Sequence, residues 1–207
     1  GKIASSLKSE TFYRDNIGVN IAEKNSSFCE LTGLYWAWQN GIFKNNQYVG
    51  LVHYRRYFAG KKLCLKKQHI ASERELLSLL EKYDAILPKK RNYFIESIYS
   101  HYQHAHHVKD LNCTREIISE LHPEYIISFD AIMQGRKIHI YNMFVMSSEK
   151  ASEYCKWLFP ILFELEKRID ITQYDSYQKR VFGFIAERLF NVWLVHHQLK
   201  FCEIPVV

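Results

Sequence analysis

Tyr48-Val49-Gly50-Leu51-Val52-His53-Tyr54-Arg55-Arg56-Tyr57-Phe58 decides how this chain is read. Its first half is apolar and partly β-branched, and it comes after the turn-like Asn45-Asn46-Gln47, so it predicts a short buried strand over Tyr48–Val52. The second half turns abruptly polar. Guanidinium groups are costly to bury without anionic partners, so a strand running from the core into His53-Tyr54-Arg55-Arg56 delivers them to a ligand at its carboxyl end. That is where ligands bind in open α/β sheets, and phosphate is the natural ligand for paired arginines.

On the N-terminal side, Ser27-x-x-Glu30 reads as a capping box, with Phe28, Leu31, Leu34, Tyr35 and Trp38 at helical spacing up to Gly41. On the C-terminal side, Ser72-x-x-Glu75 reads as a second box, opening a helix to about Lys82. Asp84–Pro88 predicts a short buried strand. Helices are expected over about Phe94–His107, Thr114–Leu121 and Glu124–Met133. Ile138–Met146 predicts one continuous strand, Ser148 starts a long helix to Ile169 kinked at Pro160, and Asp175-x-x-Gln178 opens the last helix. Phe201–Val207 closes as a strand. Strands alternating with helices give an α/β domain with a parallel or mixed sheet and a helix-rich C-terminal half.

The chain of 207 residues is expected to be a single domain over 1–207. With 47% hydrophobic and 24% charged residues it belongs among globular proteins, and no run approaches the ~18–20 apolar residues of a membrane span. Gly1-Lys2-Ile3-Ala4-Ser5-Ser6 is neither a signal peptide nor an initiator-Met start, which predicts a fragment or a processed chain. The five cysteines are scattered without a C-x-x-C pair, so neither a zinc site nor a disulfide framework is indicated, and a reducing cytoplasm is expected. The net charge of +6 is partly concentrated in Lys61-Lys62-Leu63-Cys64-Leu65-Lys66-Lys67. It fits nucleic acid, anionic headgroups, phosphorylated small molecules or simply a solvated loop. No glycine phosphate loop, zincin, nucleophile-elbow, EF-hand, RNA-recognition or helix-turn-helix signature occurs, which ranks nucleic acid last.

Three further features bear on chemistry. Tyr99-Ser100-His101-Tyr102-Gln103-His104-Ala105-His106-His107 places His101, His104 and His107 one helical turn apart. Such a face suits sugar or phosphate contacts ahead of a metal, with a plain surface cluster close behind. Asp175 is the candidate base, although its place before Gln178 equally suits an N-cap. Arg180 and Glu187 either form an ion pair or line a cleft. Asn142, inside an apolar strand, requires hydrogen-bond partners from backbone or ligand.

These blocks carry a family resemblance. Asn20-Ile21-Ala22-Glu23-Lys24-Asn25, Glu30-Leu31-Thr32-x-x-Tyr35-Trp36-x-Trp38 and Gly50-Leu51-x-His53-Tyr54-Arg55-Arg56-Tyr57-Phe58 resemble a bacterial glycosyltransferase family of capsular and exopolysaccharide clusters, formerly a domain of unknown function. So do Leu87-Pro88-Lys89, Tyr99-x-His101-Tyr102-x-His104, Asn142-Met143-Phe144-x-Met146 and Tyr174-Asp175-x-Tyr177-Gln178-x-Arg180-Val181-x-Gly183-Phe184-x-x-Glu187-Arg188-Leu189. The likeness runs from about residue 14 to 207.

It implies a GT-A-like, Rossmann-like mixed sheet flanked by helices, with one further N-terminal strand expected ahead of Gly1. It implies transfer from a nucleotide sugar, first of all UDP-galactofuranose or another UDP-hexose, to a lipid-linked oligosaccharide at the cytoplasmic face of the membrane, with peripheral contact to its anionic surface and none to nucleic acid. Asn20, Lys24 and Asn25 would bind the nucleotide, His53, Arg55 and Arg56 the diphosphate, and Arg180 phosphate. His101, Tyr102, His104 and Asn142 would line the sugar or acceptor cleft, with Asp175 as the base of an inverting enzyme. GT-A enzymes usually hold a divalent metal on Asp-x-Asp, and this chain has no such motif. Arg55 and Arg56 would replace the metal, so no cofactor is expected. The alternative is a non-catalytic carbohydrate- or phospholipid-binding module, or an inactive partner subunit.

Overall fold

A computed structural model describes residues 13–53, 55–65 and 67–207. Tyr54, Lys66 and the opening Gly1–Ser6 stretch lie outside them. In chain order the elements are α1 (Asn25–Phe28), α2 (Leu31–Gln39), β1 (Tyr48–Leu51), β2 (Ala59–Leu65), β3 (Gln68–Ile70), α3 (Glu73–Leu80), β4 (Ala85–Pro88) and β5 (Arg91–Asn92). Next come α4 (Ile98–Ala105), α5 (Val108–Leu121), α6 (Ile126–Gln134), β6 (Lys137–Ile138), β7 (Phe144–Ser147), α7 (Ser148–Arg168), α8 (Val181–His196) and β8 (Phe201–Ile204).

The fold is α/β, with a mixed sheet flanked by helices, as expected. Four strands run in the order β1-β7-β4-β8. β7 pairs antiparallel with β1 and with β4, while β8 lies parallel to β4. Side chains alternate between two apolar layers, as the period of two requires. Ala85, Leu87, Phe144 and Met146 face the large core under α7 and α8, whereas Ile86 and Val145 face a smaller cluster with Phe58 and Leu80.

Several boundaries differ from the sequence reading, each for a local reason. The helix expected from Ser27 is split, because Cys29 adopts φ 53° between α1 and α2. The Ser27-x-x-Glu30 box does not form there: the Ser27 hydroxyl donates to the Lys24 carbonyl. The Ser72–Glu75 box forms in full. The strand predicted over Ile138–Met146 is interrupted at Tyr141 and Asn142, with φ 78° and 52°, leaving β6 and β7 in different sheets. α4 starts only at Ile98, capped by Ser97. α7 continues through Pro160, held by the buried Trp157, Leu158, Phe159, Ile161 and Leu162 around it. No helix among the described residues is long and apolar enough to cross a membrane.

Candidate active site

The segment after β1 bends sharply, with the Arg56 amide donating to the His53 carbonyl at 3.3 Å. The C-terminal residues clasp the chain just beyond this bend. Tyr57 and Val207 exchange two backbone hydrogen bonds of 2.9 Å, and the Ala59 amide donates to the Pro205 carbonyl at 2.8 Å. This fixes His53 and Arg56 over the Tyr141–Asn142 break. The His53 Nε2 atom bonds the Tyr141 carbonyl, so Nε2 carries a proton, and the Arg56 guanidinium lies 4.3 Å from the Tyr141 ring centre.

Beneath lies a cleft of about 290 Å³ between this bend, the start of α8, the α1–α2 junction and the β5–α4 loop. Four arginines line it, Arg56, Arg91, Arg180 and Arg188, against two carboxylates, Glu30 and Glu187. Glu187 accepts the Tyr141 amide at 2.8 Å and Arg188 Nη1 at 3.0 Å. Burial pushes its carboxyl above the usual range, against the pull of Arg188 and the Tyr141 amide. Glu30 Oε1 accepts Asn142 Nδ2 at 2.6 Å and lies 4.0 Å from His53 Nε2. Asn142 also donates to the Gly183 carbonyl at 3.2 Å.

Two histidines complete the inner wall. His101 stacks on Tyr93 with ring centres 3.8 Å apart, and burial, then Arg188, lowers its pKa. His106 accepts no charge readily: burial draws it down to about 4, although its Nδ1 meets Gln178 Oε1 at 3.1 Å. Buried and without partners nearby are His101 Nδ1, the Tyr102 hydroxyl and Arg188 Nε. With both histidines neutral at pH 7, arginine charge exceeds carboxylate charge and the cleft favours anions.

A second hollow of about 500 Å³ adjoins the first and includes Asn25, Ser26, Val52 and Ser176. Cys29, Glu30, His53 and Arg180 line both compartments. Arg180 Nε reaches Cys29 Sγ at 3.3 Å, and burial raises the Cys29 thiol despite that contact.

Of the residues expected from sequence, His53, Arg56, Arg180 and His101 line the first compartment, and Asn25 the second. Asn142 stands behind Glu30, and Tyr102 is buried under Arg188, whose guanidinium is 5.0 Å from its ring centre. The others point elsewhere. Lys24 pairs with Glu166 at 2.6 Å, Asn20 closes a turn with Gly18 and Ala22, and His104 pairs with Glu96. Arg55 is exposed and does not line either compartment. Asp175 is exposed, and its Oδ1 accepts the amides of Tyr177 and Gln178 at 2.8 and 2.7 Å. It thereby closes the turn ahead of α8, whose first residue is Val181 and whose N-cap is Arg180, so the helix does not open at Asp175 as its spacing suggested.

Arg91, Tyr93, Tyr141 and the inward turn of Glu30 were missed by sequence reasoning. The available signal was Glu30 and Asn142 together, two polar groups inside apolar runs that satisfy one another. Among the described residues no three His, Cys, Asp or Glu side chains group so as to hold a metal ion.

A model of the family described as a domain of unknown function, DUF4422, matches residues 1–198. The chain belongs to the DUF4422 family. The apo structure of WbbM, a bifunctional glycosyltransferase, matches this DUF4422 chain with a TM-score of 0.83 at 32% identity. The match covers 93% of this chain and 38% of WbbM, so the chain spans well under half of that enzyme. No curated protein matches it.

Proposed function

We propose that this DUF4422 chain is a glycosyltransferase domain that takes its donor in the arginine-lined compartment and its acceptor in the adjoining one. The convergence of Arg56, Arg91, Arg180 and Arg188 on one cleft carries this reading, on a fold shared with a glycosyltransferase. Four guanidinium groups suit the diphosphate of a nucleotide sugar, where they stabilise the negative charge that develops as it leaves. Transfer is then independent of a divalent metal. The donor is UDP-galactofuranose or another UDP-hexose, and the acceptor a hydroxyl of a lipid-linked oligosaccharide in capsular or exopolysaccharide synthesis at the cytoplasmic membrane face.

Glu30 is the base this geometry favours. It is the one carboxylate in the wall common to both compartments, with one oxygen held by Asn142 and its side chain 16% exposed. It removes the acceptor proton as that oxygen bonds to the anomeric carbon. The bond from this carbon to the diphosphate breaks on the opposite face, and configuration inverts.

A thermal-shift series with UDP, UDP-galactofuranose and UDP-glucose tests the donor assignment, because a ligand of the native state raises the melting temperature. A rise that persists in EDTA and falls in Arg56→Ala and Arg180→Ala is expected, with nucleotide affinity reduced about tenfold or more in each variant. No rise with any nucleotide sugar would sink the reading.

A further inference from the structure

β5 and β6 form a short antiparallel ribbon with Arg91 opposite Ile138 and Asn92 opposite Lys137. The turn beyond β5 puts Phe94 and Ile95 into solvent, 74% and 88% exposed. Scattered apolar residues on a surface are ordinary, but an adjacent pair this bare at the tip of a turn is not. The turn is firmly built. The Phe94 amide donates to Asn92 Oδ1 at 2.9 Å, the Ile95 amide to the Tyr93 carbonyl at 2.7 Å, and Arg136 Nη1 to the Phe94 carbonyl at 3.3 Å. Phe94 holds a left-handed φ of 55°, which is unfavourable for an aromatic side chain. A strained backbone thus holds two apolar side chains out in water.

The flanks of this tip are cationic. Lys89, Lys90, Arg91, Arg136 and Lys137 are all exposed on the ribbon and its immediate continuation. The nearest carboxylate in sequence, Glu96, is engaged by His104. An exposed aromatic and aliphatic pair at the tip of a cationic ribbon matches the two layers of an anionic bilayer surface, acyl boundary for the tip and headgroups for the ribbon behind it.

We infer that the Phe94–Ile95 tip docks this chain on anionic phospholipid, with the two side chains inserted and the ribbon's cations outside the cleft, Lys89, Lys90, Arg136 and Lys137, on the headgroup side. Arg91 and Tyr93 belong both to this ribbon and to the cleft wall. Docking therefore sets the cleft beside the membrane plane, where a lipid-linked acceptor would arrive. That last consequence rests on the proposed transfer, while the docking surface does not.

Co-sedimentation with vesicles of phosphatidylcholine alone, and of phosphatidylcholine with phosphatidylglycerol, tests it. Binding is expected only to the vesicles containing phosphatidylglycerol. Phe94→Asn with Ile95→Ser should abolish it; asparagine tolerates the left-handed backbone, and an unchanged melting temperature and UDP response verify the fold and cleft. Lys89→Ser with Lys90→Ser should weaken it by roughly tenfold or more, since each cation near such a surface contributes about fivefold. Failure of the wild-type chain to bind these vesicles overturns the inference, as does undiminished binding by the tip variant. So would a dimer in sedimentation velocity that the tip variant disperses, because the pair would then be covered by a second copy. UDP binding without vesicle binding would refute the docking surface alone, and vesicle binding without UDP binding the donor assignment alone.

Discussion

Glu30 and Asp175 carry the same functional group in opposite settings. Asp175 stands in solvent with one oxygen taken by two backbone amides, which stabilises the approach to α8 and fixes Tyr177 at the cleft rim. Glu30 stands where both compartments meet, its oxygen anchored by an asparagine that is itself held to α8. Their substitutions should therefore separate. Glu30→Gln is expected to lower transfer by about 10²–10⁴-fold while leaving the UDP-induced rise in melting temperature intact. Asp175→Asn keeps an acceptor for the amides and should leave transfer within a few-fold. Asp175→Ala should cost about 1 kcal/mol in denaturant unfolding, because the Tyr177 and Gln178 amides lose their acceptor. Loss of transfer in Asp175→Asn with near-normal rates in Glu30→Gln would reverse the two assignments.

Two capping boxes of identical pattern show how far local sequence reaches at the scale of the element. At Ser72 both reciprocal bonds form, and Ser72→Ala should remove about 1 kcal/mol of stability in a urea titration, because α3 loses its cap. At Ser27 the same pattern yields no cap, and Glu30 turns into the cleft instead. The difference is tertiary. Cys29 is held left-handed by contacts its own sequence does not announce: Asn25 Nδ2 on its carbonyl at 2.8 Å and Arg180 Nε on its sulfur at 3.3 Å, the latter 151 residues away. The same holds for β6 and β7, which periodicity reads as one strand because the apolar residues on either side of Tyr141–Asn142 suit a sheet. The Glu187 and Glu30 carboxylates and the Gly183 carbonyl, brought by other elements, take up the amide groups at the break. β4, α3 and α7 were legible because burial pattern and caps agree locally, whereas β1 was legible as a strand but not as a buried one: it forms the edge of the sheet and none of its residues is buried. The cleft was half legible, since Arg56 and His53 announce themselves at a strand end. Lys24, Asn20 and His104 were drawn in by a motif whose backbone they share but whose cavity they do not face.

Over the whole molecule, stability and charge are coupled through buried imidazoles. His139, almost fully buried with Nδ1 on the Pro88 carbonyl at 2.7 Å, and His106 are both drawn down to about 4 by burial. Unfolded histidine titrates near 6.5, so the unfolded chain binds these protons first as pH falls. The stability they contribute is complete above about pH 6.5 and is lost on descent toward pH 4. Glu187 and Asp110, raised by burial, act in the opposite sense, favouring the fold at low pH and weakening as pH rises. His101 and His197 are lowered by burial in the same sense, so the melting temperature should decline between pH 6.5 and 4.5, as calorimetry across that range would show; a rise there would contradict the assignment.

The clasp between Tyr57 and Val207 also has a consequence in time. The arginine-bearing bend is made some 150 residues ahead of its partners Pro205–Val207, a separation that makes closure slow to reach. The bend that presents Arg56 is thus fixed only once Val207 is in place, so the cleft is among the last parts of the fold to be completed.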